Sequence, residues 1–399
     1  MSFPYRHQPF KALYISWTAI TLLVRLPAWV VANAIPAWRR PLSWPLKRII
    51  IVKILRTLLD FMYATDFSPM AAPTLEQLAK HASFVWVDSA PHLVVGEVKD
   101  MAEKNGAKAL KTGGFWYGPR GPNGKVGQAA GKNEKVIYNF HGGAYIMGSG
   151  APSDSSMATT AEGFQRHLLA YNRIFALEYR LASAAPFPLA NAYPACLLDA
   201  IAGYRYLVED VGFAPENILF TGDSAGGGIA FALAYYLHKH RDVLSKVSKV
   251  KLDNAGRVVL ISPTADWTLA GDLSPGHSMF RNWNTDFVYP ILASGYTLRA
   301  LAGHTSKEIV TASAYLSPGS LAFEHTPGMF TGMPRTCIVA GGLEQTLDPM
   351  LTLRDRLTKD MGEEMVAFIE EPNATHDCVA SAWQEPERSD VLKKISDWA

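Results

Sequence analysis

From Lys135 to the C-terminus, short β-type runs alternate with helix-type stretches, and this alternation constrains the fold more than any other feature of the chain. KVIYNF, RIFALEYRLA, NILFTG, RVVLISP, TCIVAGG and MVAFIEEP read as strands. DSSMATTAEGFQRHLLA, LLDAIAGYRYLVEDV, GIAFALAYYLHKH and LTLRDRLTKDMG read as the helices between them. Strands and helices at this spacing imply βαβ units around a mostly parallel central sheet flanked by helices, which is an α/β fold. In such sheets a site forms at the carboxyl ends of the strands.

One strand end carries a chemical signal. NILFTG runs straight into Gly222-Asp223-Ser224-Ala225-Gly226, a Gly-x-Ser-x-Gly pattern followed by a helix. That pattern puts a serine on a sharp strand-to-helix turn, where side chains on the flanking residues would collide with neighbouring chain. The turn lifts the hydroxyl clear of the sheet, and the helix N-terminus behind it favours developing negative charge. A serine hydroxyl is a weak nucleophile, so it needs a base, an orienter for that base, and donors for an oxyanion. After the strand KVIYNF, His141-Gly142-Gly143-Ala144 presents bare backbone N–H groups. Gly142, Gly143 and the Ala225 N–H are the expected oxyanion donors. The base is expected in a loop after the last strand, where NATHD supplies His376. The acid should lie between Ser224 and His376. The loop after TCIVAGG offers Glu344 and Asp348, of which Asp348-Pro349 reads as a helix cap, so Glu344 is favoured. Ser…Glu…His is the order expected for an α/β-hydrolase.

The first residues differ in character. Ala12 to Trp38 is an apolar stretch of bilayer-spanning length with Trp17, Trp29 and Trp38 suited to an interface, although Arg25, Pro27 and Pro36 interrupt it. It reads as an apolar N-terminal segment, residues 1–43, that anchors the chain to a membrane, expected to be that of the endoplasmic reticulum. Whether it spans or lies in the interface stays open, as does topology. Residues 44–134 read as a helical cap and a Gly-rich lead-in, with Ser43 capping the basic-apolar helix Pro45 to Tyr63 and 112–134 an exposed hairpin or loop. Residues 135–399 form the catalytic domain. The net charge of +2 gives no nucleic-acid footprint. Three scattered cysteines, Cys196, Cys337 and Cys378, form neither a disulfide framework nor a metal pair. Neither metal nor organic cofactor is expected.

HGGAY (141–145), EYRLA (178–182) with PFP (186–188), GDSAGG (222–227), an acid after AGG, and NATHD (373–377) together resemble the hormone-sensitive-lipase branch of the α/β-hydrolases. That branch includes arylacetamide deacetylases, bacterial carboxylesterases and fungal steroid-ester deacetylases. The resemblance covers about two thirds of the chain, and departs from the usual pattern at Ala144, Glu344 and the long loop SAAPFPLANAYPA. It implies a serine carboxylic-ester hydrolase acting on apolar small-molecule esters (acetyl or short-chain, lipid or steroid). Residues 44–90 and Phe280 to Phe287 would cap the site. Two alternatives are an amidase or deacetylase of arylacetamides and a catalytically silent ligand receptor. A receptor can lose the base, whereas this chain keeps Ser224, His376 and an acid. The expected partner is a small-molecule ester, and oligomeric state is open.

Overall fold

A computed structural model of the protein describes residues 2–66, 73–248, 252–268, 274 and 276–399. Residues 67–72, part of the stretch expected to cap the site, lie outside it. Its centre is an eight-stranded sheet in the order β1-β2-β4-β3-β5-β6-β7-β8. The strands are β1 (Phe84–Val87), β2 (Thr112–Tyr117), β3 (Val136–Phe140), β4 (Arg173–Glu178), β5 (Ile218–Asp223), β6 (Arg257–Ile261), β7 (Arg335–Gly341) and β8 (Val366–Glu371). From β4 to β8 every pairing is parallel, and β1 and β2 continue the sheet antiparallel.

Because side chains alternate across a strand, one apolar run supplies two cores. Tyr138, Phe140, Phe220, Val258 and Ile338 face one side, where the helices Ala195–Arg205, Ala225–Lys239 and Leu347–Met361 bury Ile201, Ile229, Leu233 and Leu353 on them. Ile137, Ile174, Leu219, Val259 and Val339 face the other, under Met157 and Phe164 of helix Ser155–His167 and Leu392 and Ile395 of helix Glu387–Trp398.

The segment 112–134 corrects the sequence reading at its start, since β2 is a buried strand rather than an exposed loop. Gly113 and Gly114 suggested a loop. Their bareness instead makes room for neighbours, because a Cβ on Gly113 would run into the Phe84 ring and one on Gly114 into the Phe175 ring.

Two long helices precede the sheet. Helix α1 (Phe10–Ala32) is long and apolar enough to cross a membrane by length and composition, and none of its residues is buried. Helix α2 (Leu46–Ala64) packs on the short helix Tyr289–Ala293 of the insert after β6. Trp44, Ile49 and Val52 form a separate buried cluster with Leu343 and Trp383. Ser43 does not cap α2, whose N-cap is Pro45; the Ser43 hydroxyl donates instead to Asn373 Oδ1 at 2.6 Å.

Candidate active site

Ser224 stands between the end of β5 and the helix Ala225–Lys239 with φ 51° and ψ −115°, a left-handed-side conformation rare for a residue with a side chain. The surroundings enforce it. A Cβ on Gly222 would meet the Gly226 backbone, and one on Gly226 would meet the Phe140 carbonyl. Glycine on each side lets three backbone segments meet there. The Ser224 N–H donates to Ile261 O at 2.9 Å, and its own carbonyl accepts from Thr264 N at 3.1 Å.

The structure brings the three predicted side chains together from three strand ends. His376 Nε2 lies 3.0 Å from Ser224 Oγ, and His376 Nδ1 lies 2.9 Å from Glu344 Oε2. Glu344 is fully buried, which would be costly for an unpaired carboxylate. It is paired: Oε1 accepts from Ser262 Oγ and Gly341 N, each at 2.6 Å, and Oε2 also accepts from Thr346 Oγ1 at 3.2 Å. A carboxylate so held accepts Nδ1–H, leaving the Nε2 lone pair toward the serine. Asp348 is elsewhere. Its carboxylate takes Ser278 N at 2.8 Å and Arg281 Nη2 at 3.1 Å, and it lies inside a helix whose N-cap is Thr346. The expected cap role therefore fails, because the N-cap is two residues earlier, at Thr346, and Asp348 reaches across to the insert instead.

The glycine turn after β3 lies over the serine. His141 stacks on Tyr179 with ring centroids 4.1 Å apart, and the Tyr179 hydroxyl donates to His141 O at 2.8 Å. Burial pushes the His141 imidazole down to about 4, so it is neutral, and Nδ1–H donates to Gly142 O at 2.7 Å. Gly143 has φ 109°, and a Cβ on Gly142 would collide with the Asp223 carboxylate. Ala144 and Tyr145 both have positive φ, so alanine holds the turn where glycine would be unstrained.

Residues 137–380 match the family described as alpha/beta hydrolase fold. The chain belongs to that α/β-hydrolase family. Hormone-sensitive lipases are among the relatives and solved structures it resembles, in line with the motifs. An esterase of Mycobacterium tuberculosis, LipU, is 27% identical over 271 residues, covering 68% of this chain and 78% of its own. An acetyl-hydrolase of Streptomyces hygroscopicus is 32% identical over 137 residues, 34% of this chain and 38% of its own. A crystal structure of a hormone-sensitive lipase from a metagenome library superposes with a TM-score of 0.52 at 22% identity, covering 72% of this chain and 81% of that one. The protein is an esterase/lipase-type hydrolase.

Around the hydrolase's candidate triad lie residues that the sequence reading left without a role. Ser262, at the end of β6 with φ 42°, donates to Glu344 and accepts from Asp377 N at 3.0 Å. It thereby ties the acid to the histidine loop. Gln384 clamps the same loop, accepting from Thr375 N at 2.9 Å and donating to His376 O at 3.0 Å. Asp377 Oδ2 lies 3.3 Å from His376 Nε2. Burial disfavours charge on His376, but Asp377, Glu344 and Asp286 outweigh it and raise the imidazole to about 10. Burial in turn pushes the Asp377 carboxyl well up and that of Asp223 up to about 7. A position signal existed for Ser262, which ends the strand beside the nucleophile strand. NATHD itself displayed Asp377.

Two hollows adjoin the serine turn. One is an apolar slot of about 20 Å³ beside Ser224 and His376, walled by Ala144, Trp267, Val288, Ile291 and Leu292. The other, about 260 Å³, opens by Gly142 and Gly143 and is lined by His141, Met147, Asp154, Met157 and Asp377. Val288 to Leu292 belong to the insert, so the expected cap role of that region rests on Val288, Ile291 and Leu292; Phe280 is exposed, and Phe287 stands edge-on to His376 at 6.0 Å. Among the described residues no group of histidine, cysteine or carboxylate side chains could hold a metal ion.

Proposed function

We propose that the protein is a serine carboxylic-ester hydrolase working through an acyl-enzyme on short-acyl esters of larger alcohols. The observation that carries this reading is the unbroken relay Ser224 Oγ–His376 Nε2–Nδ1–Glu344 Oε2, at 3.0 and 2.9 Å. His376 takes the Ser224 proton as Oγ bonds to the ester carbonyl carbon, and Glu344 stabilises the imidazolium that forms. The carbonyl oxygen becomes an oxyanion facing the N–H groups of Gly142, Gly143 and Ala225. His376 then gives its proton to the departing alkoxide. Water, deprotonated by the same imidazole, attacks the acyl-enzyme and releases the acid.

The slot beside Ser224 supports the acyl preference. Its free volume of about 20 Å³ is roughly that of one water. An acetyl methyl fits such a space, whereas each further methylene must displace Trp267, Ile291 or Leu292. The larger hollow takes the alcohol. The similarity to an acetyl-hydrolase agrees with this division. An amide with the same acyl group would pass through the same intermediate, so the assay panel includes an arylacetamide.

The test is a series of p-nitrophenyl esters from acetate to decanoate, with steroid acetates and an arylacetamide, on the native chain and Ser224→Ala. We expect kcat/KM to fall steadily from acetate onward, the alanine variant to be inactive and folded, and an organophosphate to label Ser224 alone. Retained turnover in Ser224→Ala removes the nucleophile assignment. A preference for long acyl chains removes the substrate class only.

A further inference from the structure

The apolar helix α1 meets every length requirement of a membrane span, yet both of its flanks are fastened to the same globular body. On the N-terminal side, Phe3 is only 3% exposed, with its N–H donating to Tyr63 O at 2.7 Å. Its ring stands edge-on to Tyr296 at 5.0 Å and to Phe187 at 5.2 Å. The Tyr5 N–H donates to Ala64 O at 2.9 Å, and Arg6 donates to Pro186 O at 3.1 Å. On the C-terminal side, Trp44 is 1% exposed and its indole donates to Asn373 O at 2.7 Å. Arg48 grips Glu387 with two bonds of 2.8 and 2.5 Å.

A helix of 23 residues is about 35 Å long, and the bilayer's hydrocarbon is about 30 Å thick. Crossing it would put residues 2–6 and 43–48 on opposite faces of the membrane. Both sets of contacts could not then be kept by one water-soluble body.

The polar side chains of α1 point the same way. Lys11 pairs with Asp66 at 2.6 Å, Tyr14 stacks on Phe61, and Arg25 donates to Thr57 Oγ1 at 3.3 Å while lying over Trp29. Positions 11, 14, 18, 25 and 29 share one helical face, and α2 with the segment after it covers that face. Leu13, Trp17, Ile20, Val24 and Val31 share the opposite face, and all are exposed. Arg25, which makes a poor centre for a span, is therefore no obstacle to a helix lying flat. Trp17 is exposed on that face, Trp38 is exposed in the short turn that follows the helix, and Arg40, after that turn, and Lys47, at the start of α2, are exposed too, matching a headgroup layer of negative charge.

We infer that α1 attaches the protein in the plane of a single leaflet of an anionic lipid bilayer, its outer face in the acyl boundary, with N-terminus and catalytic body on one side. The attachment does not depend on the proposed chemistry of the site.

Full-length protein is mixed with sealed vesicles of phosphatidylcholine alone and of phosphatidylcholine with 30% phosphatidylserine, then floated. We expect flotation with both and at least threefold more on the anionic vesicles. A Leu13→Asp/Ile20→Asp/Val24→Asp variant should float at least tenfold less while hydrolysing a soluble ester at the native rate. To separate lying from spanning, His7→Cys and Leu42→Cys are each labelled on the vesicles with a membrane-impermeant maleimide, since the native cysteines are all buried. Full labelling of both without detergent fits in-plane attachment. Protection of either one until detergent is added means that α1 spans, and overturns the inference. A chain that fails to float and elutes as a dimer would also overturn it, showing that a second copy covers the face.

Discussion

Replacing Asp377 by asparagine should move the acid limb of the pH–activity profile to lower pH. The reasoning begins with distance. Asp377 Oδ2 is 3.3 Å from His376 Nε2, the nitrogen that must be unprotonated to accept the serine proton. Taking charge centres about 5 Å apart and an effective dielectric of about 20, the attraction is about 3 kcal/mol, or roughly two and a half pH units. The Asp377 carboxyl is itself pushed well up by burial, so only part of that charge is present near neutrality. A shift of roughly one to two units is therefore expected. The sign follows from the role. An imidazole with a raised pKa loses its base function as pH falls through that value; removing the neighbouring charge lowers the value and extends activity toward acid. Asparagine should not disturb the fold, because it tolerates the positive φ of 54° at this position and keeps the backbone N–H that binds Ser262. The assay is kcat/KM for p-nitrophenyl acetate across pH, which reports the free enzyme's essential base. An acid limb that stays in place, or moves upward, in a variant with native Tm would refute the claim that Asp377 governs the charge of His376.

Glu344→Gln should lower kcat by about ten-thousandfold, since a neutral amide stabilises neither the tautomer nor the imidazolium. Asp348→Asn should leave kcat within about twofold, because the Asp348 carboxylate holds Ser278 and Arg281 beside His277 rather than His376, and stopped-flow measurement of both variants checks the contrast. Asn373-Ala374-Thr375 is an acceptor sequon, yet the Asn373 side chain takes the Ser43 hydroxyl and its carbonyl takes the Trp44 indole. We expect no glycan there, and an endoglycosidase-dependent mobility shift that disappears in Asn373→Gln would contradict this.

The sequence displayed the parallel part of the sheet because buried parallel strands are continuous apolar runs, and runs such as NILFTG leave little room for another reading. It displayed the candidate triad because each member sits just after such a run. Choosing between Glu344 and Asp348 was harder, since both follow β7 within a few residues, and the choice turns on which one the loop folds back toward His376. β2 was hidden because its two glycines mimic a loop, and only the rings of Phe84 and Phe175 explain them. Phe3 and Trp44 could not be placed at all. Their partners lie hundreds of residues away in part, and no local pattern announces a contact between residue 44 and residue 373. Asp377 was visible as a letter, but its effect depends on a side-chain direction that spacing does not encode.

The loop bearing His376 is held by segments far apart in the chain: Ser43 and Trp44 on Asn373, and Gln384 on Thr375 and His376. Ser43 and Trp44 precede Ser224 in the chain and Gln384 follows it, so the base loop takes its position only once segments from both sides of the nucleophile pack on it. Loss of either clamp would loosen His376 without altering a side chain of the candidate triad.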